Sequence, residues 1–432
     1  MNKINILFDA KIFLDSYFTA NLGRSGVFFV AWNILQIMQK NNNIHIILTY
    51  PAEYKNTIKL KRLKRDAFFL QFNFVCILEY NEYSIIQNIE KYMNNKYYIK
   101  LFYNYFRLII LYIKKTIYYK IYYNKKHFKN AHIYLSPYYP IPKNIINQAH
   151  IKKFYILHDA ISLIFPEYFI SSVHKQLIDT FNNEIYSFCV SQSCKDDFLK
   201  YCGDKLDSSK MFVTHNATNQ HYSPNYNKKE LLKILKKYGI EHDQSDKYLF
   251  SLCSLEPRKN LSFTIICFIK FIKKHNIHDL YFYLGGNIWK NFEFALEKTL
   301  EYAGIFRQKI KLLGYIDDSD TNILYSNSLF FIYLSQYEGF GMPPLEAMQA
   351  GTPVITSNNS SLPEVVGDAA ISLTYNDEEA VIKAFEDFYF NENLRKEYIK
   401  KGLERAKMFS WEKCVGKMTE VIEGIVKCSE KN

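Results

Sequence analysis

Ser335-Gln-Tyr-Glu-Gly-Phe-Gly-Met-Pro-Pro-Leu-Glu-Ala-Met-Gln-Ala-Gly-Thr-Pro-Val-Ile-Thr-Ser357 is the most informative stretch of the chain. It follows an apolar run, Leu329 to Leu334, of strand length. A tight Gly339-Phe340-Gly341 turn comes next, and Pro343 and Pro344 then open a helix, where proline is favoured. The order is strand, glycine turn, helix N-terminus. Glycines let main-chain N–H groups approach a ligand closely, and a helix start favours anionic oxygen. The segment therefore reads as a diphosphate cradle at the carboxyl edge of a sheet. Two carboxylates frame it, Glu338 before the turn and Glu346 in the expected first helical turn. A carboxylate accepts two hydrogen bonds from a vicinal diol such as a ribose, each worth roughly 1.5–3 kcal/mol when charge-assisted. A lone pair of glutamates would read as a dipole-favoured helix residue and a surface carboxylate. The Gly-Phe-Gly and Pro-Pro elements between these two favour a binding role.

Around this stretch, short apolar runs alternate with helical segments. Strands are expected at Tyr248 to Leu252, Tyr281 to Leu284, Ile310 to Leu313, Leu329 to Leu334 and Pro353 to Thr356. A helix is expected from Asn260 to Lys274, with Asn260 as N-cap. The first half offers Ile4 to Phe8, Ile44 to Leu48, Phe72 to Leu78, His132 to Leu135, Phe154 to Leu157 and Phe188 to Ser191. Such alternation with near-continuous apolar strands signals parallel sheets covered on both faces. Two doubly wound α/β units fit, joined near Asn219 to Asn227, where Tyr222-Ser-Pro-Asn225 reads as a linker turn. The expected division is 1–222, 223–408 and a last helix at 409–432. Ligands of such sheets bind beyond the strands' carboxyl ends, so two facing sheets make one interdomain cleft.

The 432 residues carry a formal net charge of +12, which attracts anions without choosing among nucleic acid, acidic lipid and phosphorylated substrates. The 36 Tyr and 34 Phe look like compositional bias of the source genome and carry no function of their own. The eight cysteines form no CxxC pair and no metal-ligand spacing, so scattered reduced thiols are expected and no metal site. The opening residues resemble a first strand and lack a signal peptide's pattern, and no run reaches the ~18 apolar residues a spanning helix needs. The expected location is the cytoplasm or the inner face of a membrane. From Lys91 to Asn130 there are ten Lys or Arg and no Asp or Glu, interleaved with aromatic residues. This part of the basic aromatic segment at 89–130 suits an interfacial membrane helix, and equally a helix pair packed on the first sheet with a solvated basic face. Nucleic acid is not expected, because no recognisable binding module accompanies the charge.

The Glu-x7-Glu pattern of Glu338 to Glu346, followed by Ala350-Gly-Thr-Pro-Val354, resembles the retaining family 4 glycosyltransferases of GT-B fold. The likeness extends through Ser361-Leu-Pro-Glu-Val-Val-Gly-Asp-Ala369 and back to Leu255-Glu-Pro-Arg-Lys-Asn-Leu261, Leu284-Gly-Gly286 and Gly314-Tyr-Ile316. It reaches Phe409-Ser-Trp411 and covers residues 245 to 425. The resemblance implies two Rossmann-like domains facing a cleft, a nucleotide-diphosphate sugar as donor, and no metal. By position, Glu346 would hold the ribose hydroxyls. Glu338 and the backbone of Gly339, Phe340 and Gly341 would meet the transferred sugar. Arg258 and Lys259 would bind the diphosphate, and cations at a helix N-flank oppose the helix dipole, which also favours an anionic ligand there. Gly314 and Tyr315 would line the base pocket.

The first half is similar more loosely, as an acceptor domain would be. His158-Asp159 resembles the family's His-Asp segment, which implies that His158 reaches the sugar hydroxyls while Asp159 orients its loop. Gly23-Arg-Ser-Gly26 resembles the N-terminal glycine loop near the phosphate. Phe28 stands where a second glycine is common, which weakens Gly26 as a close-contact residue. Asn216-Ala217 replaces the usual Asn-Gly. Ser361 and Glu364 read as a structural capping box. The implied reaction is hexosyl transfer, first from GDP-mannose, to a glycan or lipid-linked acceptor of a cell-surface polysaccharide. The rivals are a catalytically silent nucleotide-sugar-binding subunit of a membrane assembly complex, and a GT-B epimerase or phosphorylase.

Overall fold

The computed structural model describes residues 3–16, 26–51, 63, 67–77, 128–168, 173–241, 243 and 245–431. Gly23, Arg24 and Ser25 of the expected N-terminal loop, and residues 89–127 of the basic aromatic segment, lie outside the described residues.

Apolar strands with both faces covered build two parallel sheets. The first contains β1 (Ile4–Asp9), β2 (Ile44–Pro51), β3 (Asn73–Ile77), β4 (Ile133–Ser136), β5 (Lys152–Leu157), β6 (Tyr186–Cys189) and β7 (Met211–Val213) in the order β3-β2-β1-β4-β5-β6-β7. The second contains β8 (Lys247–Leu252), β9 (Leu280–Gly285), β10 (Ile310–Gly314), β11 (Phe330–Tyr333), β12 (Val354–Ser357) and β13 (Ile371–Leu373) in the order β10-β9-β8-β11-β12-β13. Every named strand pairing is parallel, as the alternation of runs and helices predicts. Strand order reverses direction beside β1 and β4 in one sheet and beside β8 and β11 in the other, and ligands of this architecture bind at such reversals.

Two local expectations need correction, and two edge strands give no sequence signal. The run Phe188 to Ser191 leaves the sheet after Cys189, because the Ser191 hydroxyl accepts from Cys194 N (3.0 Å) and so caps helix Gln192–Cys202. The edge strands β7 and β13, three residues each, are too short to give a periodic signal. Asn260 does precede helix Leu261–Lys274, but at φ +57° its side chain turns away from the helix and donates to the Tyr375 carbonyl (2.7 Å) instead of capping.

Helix Trp411–Lys431 packs against helix Gly26–Met38 of the first sheet's layer. Its buried residues Trp411, Cys414, Val415, Met418, Ile422 and Val426 recur every three or four positions, which puts them on one face. One apolar cluster thus runs from the first sheet through Phe340, Leu362 and this helix to Phe331 and Tyr333 of β11. A second cluster, between helix Leu261–Lys274, helix Glu378–Phe390 and the opposite sheet face, is confined to the second unit. Among the described residues no helix is long and apolar enough to cross a membrane.

Candidate active site

β8 and β11 are neighbours, so the loops leaving their carboxyl ends meet. After β8 the chain makes a single tight turn, Pro257–Lys259, and after β11 it runs through Ser335 to the glycine turn. The Gln336 amide donates to the Arg258 carbonyl (2.9 Å) and ties the two loops together. Arg258 and Lys259 are 5% and 7% exposed, so both are buried in the turn and neither is solvated.

Both cations converge on Glu338. Arg258 Nη1 lies 3.0 Å and Lys259 Nζ 2.5 Å from Glu338 Oε1. Arg258 Nη2 pairs with Glu256 Oε1 at 2.5 Å, and Nη1 also donates to the Tyr337 carbonyl. Lys259 Nζ donates to the Tyr333 hydroxyl at 2.7 Å. Burial alone would raise the Glu338 carboxyl, but Lys259 and Arg258 outweigh it and hold the group at about 2. Two cations therefore face two carboxylates, and the cluster is neutral as it stands. Resemblance points to Arg258 and Lys259 for an anion. The structure gathers them at the right edge but shows their charge already matched from within.

Glu338 is held from the other side as well. Its amide donates to Ser360 Oγ (2.9 Å), from a residue at φ +50°, an uncommon conformation for a side chain other than glycine. The Ser361 hydroxyl lies 2.9 Å from the Glu338 carbonyl and 2.8 Å from that of Phe340. Gly341, at φ +107°, opens helix Met342–Gln349. Glu346 is the fifth residue of that helix, one turn further in than expected. It is partly buried, and its Oε2 accepts from the Tyr325 hydroxyl at 2.9 Å, with the Tyr222 hydroxyl close by. Desolvation in this pocket pushes its carboxyl up to about 7.

The remaining expected residues are distributed as follows. Gly339 meets the first unit: a Cβ there would stand 1.9 Å from the His158 carbonyl oxygen, and its own carbonyl accepts from Ser191 Oγ (2.7 Å). His158 directly follows β5, and its Nε2 sits 2.7 Å from the Pro137 carbonyl, a contact that needs the proton on that nitrogen. Asp159 accepts from the Ile161 amide (3.0 Å), the loop-orienting part expected of it. The Phe340 side chain is buried against Phe409 and His215, with centroids 5.8 and 6.2 Å away, so only its backbone is left for a ligand. Gly314 closes β10 at φ +66°, and its carbonyl accepts from Gly286 N (2.7 Å). Tyr315 beside it is 54% exposed. Gly26 opens its helix with open space around it, so nothing described here demands a glycine.

Sequence reasoning missed several groups. Glu256 carries no motif of its own, although a carboxylate two residues from Arg258 is a visible partner. Tyr222, Tyr325 and Tyr333 were hidden by the chain's abundance of tyrosine. The capping-box reading of Ser361 and Glu364 is overturned. Ser361 makes no side-chain cap, and Glu364 reaches across to the first unit. Its oxygens each lie 2.8 Å from the Gln192 amide at a helix start, and Oε1 lies 2.6 Å from His215 Nε2. Burial would raise this carboxyl, but His215 and the Gln192 amide hold it below the usual range. Among the described residues no three His, Cys, Asp or Glu side chains are gathered as a metal cage.

Two doubly wound parallel-sheet units, with the charged loops after β8 and β11 at the carboxyl edge of the second, make the fold GT-B. Residues 233–405 match the family model described as glycosyl transferases group 1, and the protein is a glycosyltransferase. It is similar to O-antigen chain mannosyltransferase B of Escherichia coli, 29% identical over 66% of this chain and 72% of the relative. It is 24% identical to the serotype-specific mannosyltransferase WbdA of Escherichia coli over 59% of this chain, a match spanning 31% of that longer relative. The crystal structure of Anabaena HepE in complex with UDP and glucose superposes with a TM-score of 0.64, covering 98% of this chain and 100% of that one. At 12% identity that likeness concerns the fold.

Proposed function

We propose that the protein moves a hexose, with retention of anomeric configuration, from a nucleotide-diphosphate sugar to a glycan or lipid-linked glycan in cell-surface polysaccharide synthesis. The observation that carries this reading is the convergence of Arg258, Lys259 and Glu338 beside the glycine turn at the carboxyl edge of the second sheet. GDP-mannose is the first donor to test, because the relatives named above are mannosyltransferases, with UDP- and dTDP-sugars beside it.

In the donor complex, Glu346 takes the ribose hydroxyls. Arg258 and Lys259 turn from Glu338 to the diphosphate, and Glu338 with the backbone of Gly339–Gly341 faces the transferred sugar. His158 meets that sugar's hydroxyls from the first unit. Gly26 stands near the phosphate, and Gly314 and Tyr315 line the base. The bond from the anomeric carbon to the phosphate oxygen breaks, the acceptor oxygen bonds to that carbon on the same face, and the acceptor's proton passes to the departing phosphate. Unit charges 4 Å apart attract by roughly 4 kcal/mol at an effective dielectric of 20, so two cations stabilise the leaving group strongly. They supply the charge that a metal ion supplies elsewhere, and transfer is expected to persist in chelator. Residues 1–222 take the acceptor, and a lipid-linked one suits a protein peripheral to the inner membrane face through residues 89–130.

Screening nucleotide sugars for thermal stabilisation identifies the donor, since stabilisation rises with ligand concentration over dissociation constant. Arg258→Ala combined with Lys259→Ala should then abolish transfer from that donor. Near wild-type turnover in the double variant would remove the phosphate clamp and this reading with it.

A further inference from the structure

Glu338 meets cations, whereas Glu346 meets tyrosines. Tyr325 reaches it from helix Asp318–Ser326, which lies against it in the same unit. Tyr222 stands close behind, beside Tyr325, on the connection between the two sheets. That connection is strapped to the same helix: Ser223 N donates to Asn322 Oδ1 (3.0 Å) and Asn225 N to Ser326 Oγ (3.1 Å). Tyr222 itself is 7% exposed, its ring stands 5.8 Å from that of Tyr325, edge to face, and its hydroxyl accepts from Thr321 Oγ1 at 3.2 Å. An ionised carboxylate offers about four acceptor positions. The Tyr325 hydroxyl fills one of them, and the Tyr222 hydroxyl stands close by. At least two are left, enough for the two hydrogens of a vicinal diol.

We infer that Tyr222 and Tyr325 are positioning residues that aim the free lone pairs of Glu346 at the two ribose hydroxyls, and that Tyr222, as part of the interdomain connection, makes ribose capture depend on how that connection is seated. The inference rests on the ribose assignment of Glu346 and extends it to residues that touch no substrate. Tyrosine suits the task. A lysine in its place would form an ion pair and compete with the diol, whereas a neutral hydroxyl orients the carboxylate and leaves its charge available. The titratable groups facing Glu346 are Tyr325 and Asp318 from the helix and Tyr222 from the connection. Each tyrosine hydroxyl favours the ionised form and Asp318 opposes it.

The test is titration calorimetry of the full chain with GDP and UDP, each beside its 2′-deoxy counterpart, from about pH 5.5 to 8.5, a span that brackets the carboxyl. Wild type should prefer the ribonucleotide by about tenfold, the equivalent of one hydrogen bond of about 1.4 kcal/mol. Tyr222→Phe should cut that preference to about threefold and move the acid limb of binding to higher pH, because a bond favouring the carboxylate is gone. Tyr325→Phe should do the same by a separate route, and Glu346→Ala should abolish the preference. A loss of packing alone would move neither the 2′-hydroxyl preference nor the pH limb. If both phenylalanine variants keep the wild-type preference and pH limb while Glu346→Ala loses the preference, the positioning role is wrong and the ribose assignment stands. If Glu346→Ala keeps the preference, or if neither nucleotide binds wild type, the ribose assignment fails and the inference goes with it.

Discussion

Replacing Glu338 by glutamine keeps the shape of the side chain and removes its charge. Two buried cations are then left with Glu256 alone, and the cluster acquires a net positive charge. The cost follows from the carboxyl itself. Its value falls from 4.5 to about 2 on folding. A shift of that size corresponds to about 3 kcal/mol of stabilisation. Breaking a buried ion pair by deleting one partner costs about 3–5 kcal/mol in general, so the two routes agree. At a usual 2–4 °C per kcal/mol for a domain of this size, the second unit should melt about 6–12 °C lower at pH 7. The sign with pH is fixed, because the folded value lies below the unfolded one. The stabilisation is complete above pH 4.5 and disappears as pH falls through about 2. Wild type should therefore lose stability over that acid window relative to Glu338→Gln.

The same substitution should do something no merely destabilising change does. Glu338 competes with any anion for Arg258 and Lys259, so its removal frees them. Inorganic pyrophosphate should bind Glu338→Gln about tenfold more tightly than wild type, a gain of about 1.4 kcal/mol, while hexosyl transfer is lost. Scanning calorimetry at pH 7 with and without pyrophosphate reads both effects. An unchanged melting temperature together with unchanged pyrophosphate affinity would show that these charges are screened by water, and the anion-site argument would fail.

Further expectations concern the rest of the site. Glu346 titrates oppositely to Glu338: its folded value of about 7 lies above 4.5, so its contribution favours folding below pH 4.5 and is lost as pH rises through 7. Glu346→Gln should accordingly be more stable than wild type at pH 8, by up to about 3 kcal/mol in urea unfolding, yet show a raised donor KM. In wild type the donor KM should rise as pH falls below 7; a flat profile from pH 6 to 8 would contradict the carboxyl's part in binding. Gly339→Ala places a methyl 1.9 Å from the His158 carbonyl oxygen, which cannot yield because it is backbone. Transfer should fall at least about tenfold, with each unit's circular dichroism intact and the radius of gyration increased in solution scattering. Glu364→Ala hands the exposed Gln192 amide to water, at about 0.5–1.5 kcal/mol, and should raise hydrogen exchange at residues 192–194 while leaving the second unit's melting unchanged.

What the sequence disclosed and what it hid follow from the reach of each interaction. The turn at Gly339–Gly341 is legible because strand, glycines and prolines signal within a dozen residues, and the local backbone decides them. Arg258 and Lys259 are legible as a pair, but not their state. Their charge is matched by Glu338, 79 residues away from Lys259, and no local pattern reveals a partner at that distance. Glu364 shows the limit most clearly. Ser361-x-x-Glu364 satisfies a local capping signature, yet the serine serves the glycine turn and the glutamate serves a helix start 172 residues earlier. Asn260 failed for the same reason, since Tyr375 captured its side chain. The short edge strands β7 and β13 contribute three residues each, and their pairing comes from a neighbouring strand already in place.

The glycine turn is constrained from two sides at once. The His158 carbonyl and the Ser191 hydroxyl approach Gly339 from the first sheet, while Ser360 and Ser361 fix Glu338 from the second. Ser361 also ties the Phe340 carbonyl, whose side chain packs on Phe409 just before the helix that returns to the first unit. A change in the separation of the two sheets therefore reaches the turn directly, through main-chain contacts too short to stretch. On the proposed function, a donor sugar facing Glu338 lies where the His158 loop closes, so the contact that excludes water also orients the carboxylate. Closure and donor alignment then share one set of bonds, and neither can be weakened without the other.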